Sequence, residues 1–202
     1  MTASTTRCWS KRLSVALILL LTCLLSIPMA QAAEDIVARR ISARVEDGAL
    51  ALSTRFQTTL PPPLQDALQQ GVPLSFQLTF ELTRPRTTAW WLQMKTLFEP
   101  TATLDFKLVY YRLTNRYRVV IGGLASNYGS LNEALSAVGG IAGWRVMDVS
   151  DWGPDRQREL RGRVRLELDI GQLPRPFQLN ALGSRDWTLA SDWITVAPEV
   201  AN

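Results

Sequence analysis

The sequence predicts a mainly β fold with minor α: a single antiparallel β-sandwich-like domain with short helical connectors. Two observations carry this. Apolar and polar residues alternate with period two in at least four stretches, and only one segment has the spacing and the cap of a helix. Alternation sends successive side chains to opposite faces of a strand, so each stretch offers one face to a core and the other to water.

The N-terminus differs in composition from the rest of the chain and changes its charge and cysteine balance. Arg7, Lys11 and Arg12 precede an apolar run from Leu13 to Ile27, Pro28 breaks it, and Ala30-Gln31-Ala32 follows with small residues where a signal peptidase reads. Residues 1–32 are therefore expected to be a signal peptide, cleaved near Ala32/Ala33, and 33–202 a single β-rich periplasmic or secreted domain. An uncleaved anchor competes with this reading, although the run is shorter than the roughly 20 apolar residues of a spanning helix. No membrane span is expected after cleavage.

Removal of the leader takes both cysteines, Cys8 and Cys23, leaving no thiol nucleophile, disulfide or thiolate ligand. The chain has no histidine, which excludes Ser-His-Asp and Cys-His catalysis and the usual zinc sites. The leader also carries three of the 22 Lys and Arg residues and none of the 18 Asp and Glu, so the remainder stands at +1. That balance argues against nucleic acid as a partner.

In the expected domain, Ile41, Ala43 and Val45 alternate up to Asp47-Gly48, and Leu50, Leu52 and Phe56 alternate away from it, the pattern of a tight β-hairpin. Val72 to Leu82 alternates without a miss. Leu104, Phe106, Leu108 and Tyr110 share a face, then the phase shifts at Tyr111 and Leu113; a bulge near Val109–Tyr111 would account for it, before a turn at Thr114-Asn115-Arg116 and a strand through Val119 and Ile121. Leu160, Gly162, Val164, Leu166, Leu168 and Ile170 lie opposite a charged face.

The helix runs from Ser130, with Glu133 completing a capping box, through Leu131, Ala134, Leu135 and Val138 to Gly139-Gly140. Two further stretches echo each other. Leu60-Pro61-Pro62-Pro63-Leu64-Gln65 with Ala67-Leu68 matches Leu173-Pro174-Arg175-Pro176-Phe177-Gln178 with Ala181-Leu182. Proline suits a first helical turn, where no backbone donor is needed, and Gly71 and Gly183 are placed as stops. The unit reads as a repeated connector carrying the chain between sheets. Trp187 and Leu189 are expected on one face of a following strand that reaches the core through Trp193.

Candidate sites are few. Arg84 and Arg86, followed by Trp90 and Trp91, combine cations and aromatic rings and form the candidate interaction surface. The series Arg156, Arg158, Arg161, Arg163 and Arg165 could grip a polyanion, but acids interleave it, as on a solvated strand face. Asp148, Asp151 and Asp155 read as a turn rather than a calcium loop. Trp144, Trp152, Trp187 and Trp193 read as packing residues. No nucleophile elbow, Ser-x-x-Lys, Walker loop or GxGxxG occurs, so no catalytic residue, metal ligand or cofactor is expected.

Several stretches together resemble the bacterial domain of unknown function family 4390: Tyr111 to Val119, Ser130 to Leu135, the ending from Leu173 to Trp193, and Gly71 onward with Arg84-Pro85-Arg86. Trp90-Trp91 sits where this resemblance expects an aromatic pair, while the loops Ala125–Gly129 and Asp151–Arg156 look variable. The resemblance implies an exported proteobacterial protein of unassigned activity, associated with genes near a nitrogen-regulation-type sensor kinase. It carries over no catalytic residue.

The expected function is a non-enzymatic protein-interaction or regulatory domain of the envelope, whose partner is another envelope protein such as the extracytoplasmic part of a sensor kinase. The alternative is a carrier or sensor domain for a small lipid or saccharide. A carboxylate-based hydrolase using Asp148, Asp151, Glu133 or Asp105 is the third reading.

Overall fold

Alternation becomes two sheets. The computed structural model describes residues 36–83 and 101–199. The chain divides into residues 1–33 and 34–202, and the described elements all belong to the second unit. β1 (Ile36–Glu46) and β2 (Ala49–Thr58) form the expected hairpin, with Asp47 and Gly48 both at positive φ (48° and 72°), the geometry of a two-residue type I′ turn. Helix α1 (Pro62–Gln69) leads to β3 (Leu74–Thr83), and β4 (Thr101–Tyr111), β5 (Arg116–Ile121) and β6 (Leu124–Tyr128) pair in succession. Then come α2 (Leu131–Ala137), β7 (Ile141–Asp148), α3 (Pro154–Glu159), β8 (Arg161–Leu168), α4 (Arg175–Gly183), β9 (Ile194–Val196) and β10 (Pro198–Glu199).

Sheet I has the order β10-β1-β2-β7 and sheet II the order β6-β5-β4-β3-β8-β9. Neighbours are antiparallel except for the short edge pair β1 and β10, where the exposed Arg44 and Glu199 side chains meet at 3.3 Å. The fold is thus mainly β and sandwich-like, as the alternation requires. Leu50, Leu52 and Phe56 of sheet I and Leu74, Phe76, Leu78, Phe80, Phe106, Leu108, Val164 and Leu166 of sheet II belong to one buried cluster, which Leu64 and Leu68 of α1 and Leu135 of α2 join. Each such side chain contributes about 1.5–3 kcal/mol by leaving water. Gly162 is needed inside β8 because a Cβ there would lie 2.3 Å from Phe80 Cε2.

Four expectations change. The bulge near Val109–Tyr111 is absent: β4 and β5 pair in unbroken register from Phe106–Ile121 to Tyr111–Arg116. The phase shift arises because Leu113 sits in the turn and not in a strand, so no sheet face claims it. Gly183 is the last residue of α4 and has no positive φ, whereas Gly71, at φ 92°, ends α1 with Gly71 N–H donating to Leu68 O and Val72 N–H to Ala67 O. Trp187 is buried, but it comes from a 3₁₀ turn over Arg185–Trp187, its ring 5.4 Å from that of Phe177. Trp193 lies on the charged side of the sheet, with the Arg163 guanidinium 4.3 Å from its centroid.

The repeated connector is real as local structure. In α1 the Gln65 amide donates to Leu60 O at 2.7 Å; in α4 the Gln178 amide donates to Leu173 O at 2.7 Å. A third copy starts α3, where the Gln157 amide donates to Trp152 O at 2.9 Å. In all three the helix begins at a Pro or Gly with no capping side chain, and a glutamine one turn in hooks back to the carbonyl before it. The role as a crossing between sheets holds for α1. It fails for α4, which joins β8 to β9 within sheet II.

Candidate functional site

The candidate interaction surface of Arg84, Arg86, Trp90 and Trp91 lies outside the described residues. Most of the other sequence candidates have local partners. Arg163 pairs with Glu81 at 2.5 Å, Arg165 Nε lies 3.3 Å from Glu167, and Arg158 is 3.8 Å from Asp155. Pairs across strands, along one strand and within a helix are those of a solvated face.

Asp148, Glu133 and Asp105 are likewise engaged one by one. Asp148 accepts from Ser150 Oγ (2.6 Å) and Ser150 N–H (2.9 Å), which with Arg145 nearby holds its carboxyl below the usual range despite some desolvation. Glu133 accepts from Gly129 N–H at 3.2 Å, and the Ser130 hydroxyl accepts from Glu133 N–H at 3.3 Å, so the capping box reaches one residue further back than its usual form. Asp105 accepts from Gln77 at 3.2 Å. Among the described residues, no three of His, Cys, Asp and Glu come together. Tyr117 is raised above the usual phenol value by burial and by Tyr110 beside it.

Among the described residues, one feature that could hold a ligand is a groove that sequence reasoning missed. β7 pairs with β2 only as far as Thr54, whereas β1 accompanies β2 to Thr58. Residues 55–58 are therefore paired on one side only. Alongside this released edge runs a groove of about 640 Å³, lined by the consecutive run Arg55–Leu60 on one side and by Leu131, Asn132, Leu135 and Ser136 of α2 on the other. Both faces of the β2 pleat contribute, as they do at a strand edge.

α2 is fixed in place by its C-terminal end. Buried Thr54 donates its hydroxyl to Gly139 O at 2.8 Å. Gly139 takes φ 73°, and a Cβ on it would lie 2.5 Å from Leu166 Cδ2 and 3.1 Å from Phe56 Cδ2, so only glycine lets the helix end seat between the sheets.

The groove mouth is basic. The β1–β2 register slips between Ala38 and Arg40, leaving Arg39 as an extra residue on β1. Such a bulge re-aims a side chain, and Arg39 enters the groove lining, its Nε donating to Gln57 Oε1 at 2.7 Å. Arg40 stands directly opposite Arg55, a like-charge cross-strand pair that costs stability unless an anion sits nearby. Arg39, Arg40 and Arg55 are exposed and have no ion pair among the described residues, where Glu81, Glu167, Asp155 and Glu199 are engaged by other arginines. In the sequence the only trace is the Arg39-Arg40 doublet inside an otherwise strand-like run.

Among the described residues, no helix is long and apolar enough to cross a membrane. A family model described as a domain of unknown function (DUF4390) matches residues 33–197. No curated protein and no solved structure matches.

Proposed function

We propose a non-enzymatic binding role for this chain, which belongs to the DUF4390 family of domains of unknown function: it receives an extended acidic segment of another envelope protein along the released edge of β2. The observation that carries the reading is that Arg39 and Arg55, with Arg40 opposite Arg55, have no carboxylate partners among the described residues, and that Arg39 and Arg55 line a groove whose wall is a strand edge.

A strand edge offers backbone donors and acceptors to an incoming strand, and flanking pockets select its side chains. Arginine forks supply the charge selection. The separate structural engagement of Asp105, Glu133 and Asp148 supports binding over carboxylate-based hydrolysis. The apolar N-terminal run and the cysteine-free remainder support export to the envelope, where the extracytoplasmic part of a sensor kinase is one partner of suitable kind.

The test is photocrosslinking in living cells from benzoylphenylalanine placed at Asn132, on the helix side of the groove, followed by mass spectrometry. The expected result is a discrete protein adduct that disappears in the double variant R39E/R55E. An adduct indifferent to that charge reversal, or native mass spectrometry showing a small molecule seated in the groove, would overturn the reading in favour of a carrier.

A further inference from the structure

The end of the β4–β5 hairpin carries a second basic surface, separate from the groove. Between Asp105 and Glu133 the chain has Lys107, Arg112, Arg116 and Arg118 and no acidic residue. None of the four has an ion pair among the described residues. By contrast Arg163 and Arg165, on β8 of the same sheet, have carboxylate neighbours in Glu81 and Glu167. Among the described residues, four cations without ion pairs therefore lie along the β4–β5 hairpin, three of them at its tip.

At the apex of that end is an apolar side chain. Leu113 is 103% exposed in the turn between Arg112 and Asn115, with Tyr111 beside it at 42%. The tip is held firmly. The Tyr110 hydroxyl donates to Asn115 Oδ1, Asn115 itself takes φ 51°, and the Tyr110 and Tyr117 rings pack at 4.8 Å. Arg118 lies 4.8 Å over the Tyr111 ring and donates to Asn127 Oδ1 at 3.0 Å, so cation and ring are presented together. Leu124, 80% exposed at the opposite end of β5 after Gly122-Gly123, has no basic residue next to it in sequence.

We propose that this hairpin tip docks the protein on an anionic phospholipid surface, with Leu113 and Tyr111 entering the boundary between headgroups and acyl chains while Arg112, Arg116 and Arg118 engage lipid phosphates. Basic residues beside an anionic leaflet are drawn to it, tyrosine rings settle at that depth, and arginine forks match phosphate oxygens. The convex shape favours a bilayer over an acidic protein: a projecting leucine needs a complementary hollow on a protein, whereas lipid adapts to it.

The test is co-sedimentation of the protein, in the form its cells yield, with vesicles of equal parts phosphatidylcholine and phosphatidylglycerol, against vesicles of phosphatidylcholine alone. Binding is expected to require phosphatidylglycerol, to weaken with added salt, and to fall by at least about 30-fold in R112E/R116E. L113D is expected to weaken it as well, and R39E/R55E, in the groove, to bind as the unaltered chain does. Circular dichroism confirms folding, since Arg112, Leu113 and Arg116 are all exposed.

Equal binding to neutral vesicles, or binding retained in R112E/R116E, overturns the proposal. So does L113D binding like the unaltered chain, which would make the contact adsorption by charge alone. Retention on immobilised polyglutamate through Arg112 and Arg116 without any vesicle binding would assign the surface to an acidic protein instead.

Discussion

Two threonines on β2 should respond in opposite directions to the same substitution. Thr54 and Thr58 are 5% and 6% exposed on the same strand. The Thr54 hydroxyl donates to Gly139 O at 2.8 Å, whereas the Thr58 hydroxyl has no hydrogen-bond partner among the described residues. Valine is nearly isosteric with threonine, so Thr→Val changes the hydroxyl and little else. At Thr54 it removes a buried hydrogen bond and leaves the Gly139 carbonyl without its donor, a loss of about 1–3 kcal/mol. At Thr58 it removes the desolvation penalty of an unpaired hydroxyl and stabilises by about 1–2 kcal/mol. For a domain of this size each kcal/mol moves Tm by about 2–4 °C, so the two variants should lie on opposite sides of the parent and differ by at least about 4 °C. Urea unfolding should show shifted midpoints with unchanged slopes. If T58V melts below the parent, its hydroxyl has a partner in solution and the account of this end of β2 fails.

Other perturbations probe different levels of the structure. Trp187→Ala should cost roughly 3–5 kcal/mol, read by urea unfolding, because the ring is buried against Phe177 and the core; an unchanged midpoint would contradict that packing. Gln65→Ala and Gln178→Ala should each cost about 1 kcal/mol by releasing the hooked carbonyl, and the two losses should add, since the helices lie in separate connections. Ser150→Ala should lower stability at neutral pH by weakening the hold on Asp148. That hold depresses the folded-state carboxyl, so its contribution is present above the ordinary carboxylate range and is lost as the pH falls through the depressed value. The gap between parent and variant should therefore close in acid, and a gap independent of pH would exclude Asp148 as its source.

Much of the candidate chemistry could be sorted from residues alone, and the reasons differ by residue. Arg163 and Arg165 were readable as a solvated face because their neighbours in sequence already include acids. Glu133 was readable as a cap because capping is decided within four residues. The groove was not readable. It exists because β7 leaves β2 after Thr54 and because β1 slips by one residue at Arg39, and both are relations between segments distant in sequence. The third glutamine hook, at Gln157, was missed for a simpler reason: Gly153 there replaces the first proline of the other two copies.

Whatever depends on neighbouring residues is legible in the chain alone: the positive-φ turn at Asp47-Gly48, the alternation that assigns Leu74, Phe76, Leu78 and Phe80 an inner face, the cap at Ser130, and the proline-led helices. Long-range packing sets which strand edges stay open, that Leu113 projects from a turn, that Trp187 is buried from a 3₁₀ turn, and that Arg39 and Arg55 line one groove with α2 while Arg40 stands opposite Arg55. The division follows from range. Backbone sterics and period-two patterning act over a few bonds, whereas register, bulges and edges arise only when remote strands compete for the same backbone hydrogen bonds.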